Sequence, residues 1–431
     1  MIVEEYKDTN THFKKSKLEN GLTVVTEHCA HARSVNAAVY INKGTRDEPK
    51  HLGGAAHFIE HMVFKGSKKF SALDIVKNLE AVGGDINAYT TREYTCIHAN
   101  ALKENLNLSL DILMDMATNA IFDPSEFEKE KQVVLQEIEM SKDQLDEYVF
   151  DLYLEKAFSG QPLSRSILGT RASVAGYMRE DVFSYYKNTY NPKNLIISVS
   201  GFVDHDEVVS QVLKCIKDES EEFNRNASNA NIVKDTETCV ARGDTIFTPF
   251  EERIKKPTEQ VHLLYGFLTS AYKSEFRFEA YVANLCLGGG MTSRLYQNIR
   301  EDKGLAYSVY SSLNVFVDTG LLLFYAASQA EFIDEVFREL KMEVEKFVKN
   351  GIDKEELEFF KNQAKGQILL GSEDLENRMN SIAVNEMVFG KYRSVDQVVD
   401  DIMSVSEESL RSFTKEHMNL SQTGNLFLGD I

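Results

Sequence analysis

This sequence is short of positive charge: 48 Lys and Arg stand against 67 Asp and Glu, a formal net charge of −19. Such a chain repels phosphate backbones and anionic lipid, which argues against nucleic acid or a membrane as its main partner; basic ligands are tolerated or attracted. The same charge also serves plain solubility. Cysteine is sparse too. Cys29, Cys96, Cys215, Cys239 and Cys286 are scattered without a CxxC pair, so neither a disulfide framework nor a thiolate zinc site is expected. They read as small apolar residues of a reducing compartment. No apolar run approaches the roughly 20 residues of a membrane span. The N-terminus, Met1 to Asp8, is polar and lacks a signal-peptide core, so the expected location is cytoplasmic. With 6 Pro, 24 Gly, 43% hydrophobic and 27% charged residues, the composition is neither fibrous nor disordered. A length of 431 residues calls for two or three domains.

Strand-like runs at 22–27 and 35–41 lead to helical patterns at 54–65 and 71–82, stopped by Gly83-Gly84. A strand pair follows at 85–100, then helical patterns at 103–118, 125–158 and 172–188, a strand at 194–200 and a helix from 205. Residues 217–236 are charged and then polar, with little to bury, and read as a linker. After it the order restarts: a strand at 261–268, helices at 275–287 and 292–302, strands at 305–316 and 319–327, and long helices from 331. Asp123, Glu126 and Glu128 recur as Asp353, Glu356 and Glu358 at an offset of 230, and Gly84 recurs as Gly304 at 220. Together with the repeated order, this indicates an internal duplication. The expected fold is α+β: two homologous halves, each a mostly antiparallel sheet covered by helices. The boundaries are 1–216, a linker at 217–236, and 237–431.

Within the first helical pattern stands His57-Phe58-Ile59-Glu60-His61. Residues four apart share a helix face, so two imidazoles so placed can reach one zinc ion at about 2.0–2.1 Å. Glu60, on the same side, can take a proton from a water there without binding the metal. By chance the pattern arises in a chain of this length on the order of once in a hundred sequences; it is the inverzincin arrangement. A third ligand has to come from another helix. The acidic stretch Phe127 to Glu137 offers Glu130 and Glu137, two turns apart, with Val133 and Val134 between them suggesting a partly buried face. A carboxylate there needs a partner, and a metal is one.

The sequence resembles the pitrilysin-type (M16) zinc metallopeptidases, in particular their short, processing-peptidase-like branch. The likeness lies in Gly54 through Gly66, in Asn20-Gly21-Leu22-Thr23-Val24, in Gly44-Thr45-Arg46-Asp47-Glu48 and in Tyr190 through Leu195. In the second half it lies in Leu287 through Leu295 and Arg300 through Tyr307. It covers nearly the whole chain outside the linker and implies a LuxS/MPP-like metallohydrolase fold. It also implies His57, His61 and Glu137 as zinc ligands, Glu60 as general base and Glu130 as a carboxylate orienting a ligand histidine. Arg300 and Tyr307 are implied to complete the site from across an internal chamber, donating hydrogen bonds to the scissile carbonyl. The strand Asp85–Thr90 resembles the family's edge strand, where substrate adds as an extra strand, with Asn87 and Ala88 as the binding positions.

At the offset of 230, Glu130 falls on Phe360 and Glu137 on Gln367, and no histidine lies between His262 and His417; one zinc per chain is therefore expected. The expected activity is zinc-dependent endopeptidase cleavage of unfolded or short polypeptides, basic ones included, by a homodimer. The alternatives are a non-catalytic scaffold or assembly subunit of the same family and a peptide-binding module with structural zinc. Intact motif residues oppose the first, and Glu60 opposes the second. The glycines at 288–290 lack the Gly-Lys-Ser/Thr of a phosphate loop. Lys65, Lys68 and Lys69 read as a solvated helix end.

Overall fold

The strands at the centre of both sheets are largely apolar runs buried along almost their whole length, and one edge strand of each sheet is a charged alternation. The computed structural model describes residues 2–8, 11–217, 242 and 245–431. Residues 218–236 of the expected linker, and Cys239, lie outside the described residues. Two compact units emerge, Met1–Glu139 with Arg165–Val240 and Ser372–Arg393, and Met140–Ser164 with Ala241–Gly371 and Ser394–Ile431.

The first unit is built on seven strands: β1 (Ile2–Lys7), β2 (Thr11–Lys17), β3 (Thr23–Cys29), β4 (Ser34–Ile41), β5 (Asp85–Thr90), β6 (Thr95–Leu102) and β7 (Leu195–Gly201). They lie in the order β1-β2-β3-β7-β4-β6-β5. Every pairing is antiparallel except β3 with β7. The second unit has β8 (Phe250–Lys255), β9 (Val261–Thr269), β10 (Ser308–Val315), β11 (Gly320–Ser328) and β12 (Gly424–Gly429), in the order β10-β11-β9-β12-β8. Here β12 with β8 is the parallel pair. Taken in chain order, β3 to β7 and β8 to β12 are threaded identically, and in both runs the first strand pairs in parallel with the last. The duplication is therefore one of topology, with β1 and β2 added at one edge of the first sheet.

The helices that matter below are α1 (Ala55–Val63), α2 (Leu106–Asn119), α3 (Pro124–Ser141), α4 (Leu145–Ala157), α5 (Lys354–Gly371) and α6 (Leu375–Phe389). The single helical pattern expected over 125–158 is two helices, α3 and α4. They are separated by a turn in which Asp143 and Gln144 donate to the carbonyls of Met140 and Ser141. The break has a packing reason: α4 belongs to the second unit, where buried Tyr153 donates to the Gly424 carbonyl on β12 at 3.3 Å. Reciprocally, α6 from late in the chain belongs to the first unit. Its Met379, Ile382 and Ala383 pack with Val25, Ala38 and Ile196 of the sheet. Buried Arg378 on α6 forms a two-point ion pair with fully buried Glu27 on β3, with Nε 2.6 Å from Oε1. The pattern at 172–188 likewise splits, at Gly176, into Arg171–Ala175 and Arg179–Thr189. The expected helix at 292–302 is a π-helix over Tyr296–Asp302.

Asp123 and Asp353 cap the matching helices α3 and α5, each accepting the backbone N–H three residues on. The Gly84–Gly304 match is not physical. A side chain at Gly84 would strike the Asn100 carbonyl at 2.7 Å, whereas Gly304 has open space and a φ of +62°.

Candidate metal centre

The centre is built on α1 and α3 of the first unit. α1 starts at Gly54, which takes a φ of +90° where a Cβ would lie 2.6 Å from the Leu168 carbonyl. Gly54 has no side chain to cap the helix, and buried Glu48 does so from outside it. Its two oxygens accept the N–H groups of Gly54 and Ala56, both at 2.7 Å. Burial pushes the Glu48 carboxyl up to about 8, against these two donors and Arg165. Phe58 of α1 meets Phe127 of α3 edge-on, with ring centroids 4.9 Å apart.

This packing sets His57 and His61 against α3. Their Nε2 atoms are 3.2 Å apart. Glu137 brings Oε1 to 3.7 Å from His57 Nε2 and Oε2 to 3.6 Å from His61 Nε2. Among the described residues, this is the one group of three or more His, Cys, Asp or Glu whose ligand atoms all lie within 4.8 Å of one another. Donor atoms bound at 2.0–2.1 Å around a tetrahedral ion stand about 3.4 Å apart. The observed separations, with a different Glu137 oxygen toward each histidine, lie near that value, and two imidazoles with one carboxylate form a chemically suitable set for zinc. The residues present therefore fit a metal ion.

Electrostatics separates the two imidazoles. Burial, helped by neighbouring His61, lowers His57 to about 3, so it stands neutral, as a ligand must. Burial also works to lower His61, but Glu130 and Glu137 hold it above its ordinary value. His61 Nδ1 lies 2.7 Å from Glu130 Oε1, which directs Nε2 toward the other donors. Buried Glu130 would be raised by its burial, yet its bonds to His61 and Lys65 hold it below the usual carboxylate range. On α3, Glu130 and Val134 are buried and Glu137 is half-buried, which puts the three on one face. Val133, expected to share that face, is instead 45% exposed.

Glu60 stands outside the ligand group. Burial raises its carboxyl, and Thr90 at the end of β5 opposes this by donating Oγ1 to Oε2 at 2.6 Å. Asn87 and Ala88 lie on β5, which ends the sheet with β6 on one side and no described strand on the other. Arg300 and Tyr307 lie in the second unit. The Arg300 guanidinium sits 4.1 Å from the Tyr307 ring centroid and donates to the Tyr307 carbonyl at 3.0 Å, and Tyr307 is 74% exposed. Sequence reasoning missed three contributors. Glu48 belongs to a motif that the sequence leaves without a role. Lys65, expected at a solvated helix end, lies four residues beyond His61 and reaches Glu130. Thr90 carried no signal, since its contact with Glu60 spans 30 residues. A cavity of about 330 Å³ is lined by His12, His28, His205 and neighbours, and by none of these site residues.

Comparison with known proteins agrees on one family. Residues 23–171 match the insulinase family (peptidase family M16), and residues 177–364 match the peptidase M16 inactive domain. An uncharacterized zinc protease of Mycobacterium leprae is 34% identical over 94% of this chain and 89% of its own length. One of Bacillus subtilis is 34% identical over 94% of this chain and 95% of its own. In fold, the chain is similar to the crystal structure of a protease from Helicobacter pylori, with a TM-score of 0.85 at 20% identity over 97% of this chain and all of that one. It is also similar to a peptidase M16 inactive domain from Pseudomonas fluorescens, at 0.84 and 15% identity over 97% and 98%.

Proposed function

The chain belongs to peptidase family M16, and from that premise we propose that it is a zinc-dependent endopeptidase acting on unfolded or short polypeptides. One observation carries this reading. Three donor atoms converge on one point while a fourth side chain, Glu60, is held beside them by Thr90 and left out of the ligand group. A purely structural metal site has no use for that carboxylate, and a scaffold protein has no use for either.

His57, His61 and Glu137 would hold the ion. When bound, zinc supplies Lewis acidity, bringing the pKa of a water to about 7 and polarising a carbonyl. The protein does the rest. Thr90 occupies Glu60 Oε2, so Oε1 is the oxygen that takes the proton of the attacking water, and Glu60 later returns that proton to the leaving amide nitrogen. Burial suits Glu60 to both tasks, because a carboxyl raised above its ordinary value gives the proton up late and takes it up readily. β5, as the sheet's edge, offers its outer backbone groups to an extended peptide, with Asn87 and Ala88 as the docking positions; the Asn87 side chain, which accepts the Ala88 N–H at 2.9 Å, gives way to the peptide there. Arg300 and Tyr307 are assigned as donors to the carbonyl oxygen as it becomes negative.

The test is metal analysis of the purified protein, followed by a mixed peptide library presented to wild type, Glu60→Gln and Tyr307→Phe. The expected result is about one zinc per chain, chelator-sensitive cleavage, and a Glu60→Gln protein that keeps zinc but loses at least about a hundredfold in rate. Tyr307→Phe should lower kcat with zinc retained. Cleavage by Glu60→Gln at the wild-type rate, or a well-folded protein without zinc affinity, would overturn the proposal.

A further inference from the structure

The two helices of the centre meet as a short antiparallel zipper that is longer than the ligand set. On and just beyond α1, His57, His61 and Lys65 follow one another at intervals of four; on α3, Glu137 and Glu130 are two turns apart. Across the seam His57 meets Glu137, His61 meets both Glu137 and Glu130, and Lys65 meets Glu130. The last two contacts are the tightest of the series, each 2.7 Å. Glu130 is 3% exposed, and each of its oxygens has a different partner: Oε1 faces His61 Nδ1 and Oε2 faces the Lys65 ammonium.

We infer that Lys65 is a positioning residue of the metal centre, clamping Glu130 so that its carboxylate fixes the ring orientation and tautomer of His61. The inference rests on the metallopeptidase reading above. A carboxylate with one oxygen engaged can pivot about its terminal torsion, which is broad and roughly two-fold. With both oxygens engaged on different sides, it cannot turn without losing a charge-assisted bond. The clamp keeps Oε1 on Nδ1–H, and a neutral imidazole protonated at Nδ1 has its lone pair at Nε2, the atom that faces His57 and Glu137. Without Lys65, Oε2 would be a buried acceptor without a described partner, and the carboxylate would be free to reorient toward water. The lysine side chain is about a third exposed, so its long stem can be exchanged without opening the core.

The experiment compares wild type with Lys65→Met, which keeps the stem and removes the ammonium, and Lys65→Gln serves if the first fails to fold. Two quantities are read. One is zinc affinity by competition with a chromophoric chelator. The other is the ring nitrogen correlations of the metal-free, histidine-labelled protein, with the His61 signal identified by its loss in His61→Gln. Outer partners of metal-binding histidines are worth about 10- to 100-fold in metal affinity, and a loss in that range is expected for Lys65→Met. His61 should change from a single Nδ1–H tautomer to a mixture. An unchanged tautomer, with or without weaker zinc binding, would overturn the inference, and so would unchanged zinc affinity. A wild-type chain that binds no zinc would instead defeat the metallopeptidase reading and this inference with it. A zinc-binding wild type with an indifferent Lys65→Met defeats this inference alone.

Discussion

Replacing Thr90 with valine isolates the orientation of Glu60 from everything else in the centre. Valine has the shape of threonine and suits a strand equally well, so β5 and its pairing with β6 should survive. What disappears is the bond from Thr90 Oγ1 to Glu60 Oε2 at 2.6 Å, together with a long contact to Thr95 Oγ1 at 3.5 Å. Hydrogen bonds to charged groups contribute about 1.5–3 kcal/mol, and Glu60 is incompletely buried, so the lower end applies. About 1.5 kcal/mol in the transition state is roughly a tenfold loss in kcat/KM. Thr90 has no described hydrogen bond or ion pair with His57, His61 or Glu137, so zinc affinity should not change; this separates the variant from Lys65→Met. A second signature lies in the pH profile. Burial raises the Glu60 carboxyl and the Thr90 hydroxyl lowers it, so losing the hydroxyl moves the acidic limb of kcat/KM to higher pH. Stopped or continuous fluorescence assays on one quenched peptide, from acid to neutral pH, supply both numbers. A Thr90→Val enzyme with the wild-type rate and an unmoved acidic limb would show that Glu60 is not held by this bond during catalysis.

Two further outcomes concern the scaffold. Arg378→Met should destabilise the first unit by about 3–5 kcal/mol, seen as an earlier denaturant midpoint, because it leaves the charge of fully buried Glu27 with the Tyr392 hydroxyl in place of an ion pair; Glu27→Leu combined with Arg378→Met should recover most of the loss. His205 is held neutral by burial, lowered to about 4 from 6.5, with Ser16 and Thr26 on its two nitrogens. Its folded pKa is depressed, so the unfolded chain takes the proton first: the contribution is whole above pH 6.5 and is lost as pH falls toward 4. That amounts to at most about 3 kcal/mol, reduced by solvent screening in the adjoining cavity. His205→Gln should therefore show a flatter fall in stability over that window than wild type, and parallel curves would refute the assignment.

Much of the centre was legible because its elements obey short-range periodicity. The His57–His61 pair and Glu60 follow from positions three and four apart on a helix, and Glu130 with Glu137 from positions seven apart. The strand order was not legible in the same way. β1 (IVEEYK) and β8 (FEERIK) are edge strands whose outward charges mask their alternation. β2 places Lys15 inward at 9% exposed, a residue no pattern assigns to a core, because Glu386 of α6 lies 2.6 Å away. That partner is more than 370 residues distant in sequence. The exchange of α4 and α6 between the units is hidden for the same reason: a helix's apolar stripe records that it is covered, and carries no record of which sheet covers it.

The duplicated half shows what the metal residues require of their surroundings. α3 and α5 bury matching positions at the offset of 230: Phe127 and Leu357, Lys131 and Lys361, Val134 and Ala364. At Glu130 and Phe360, both 3% exposed, the burial matches and the chemistry does not. A buried carboxylate is tolerable where His61 and Lys65 meet it, and without such partners its desolvation favours an apolar side chain of similar reach. Glu137 has its counterpart in Gln367, whose Oε1 accepts the hydroxyl of Tyr281 at 3.1 Å from the helix Arg277–Gly288. An ionisable His–Glu contact in one half is thus a neutral Tyr–Gln contact in the other, on the same scaffold and with comparable reach. The buried charge at Glu130 is consequently no legacy of the fold, since the fold is satisfied by phenylalanine; it persists where it has a histidine to orient.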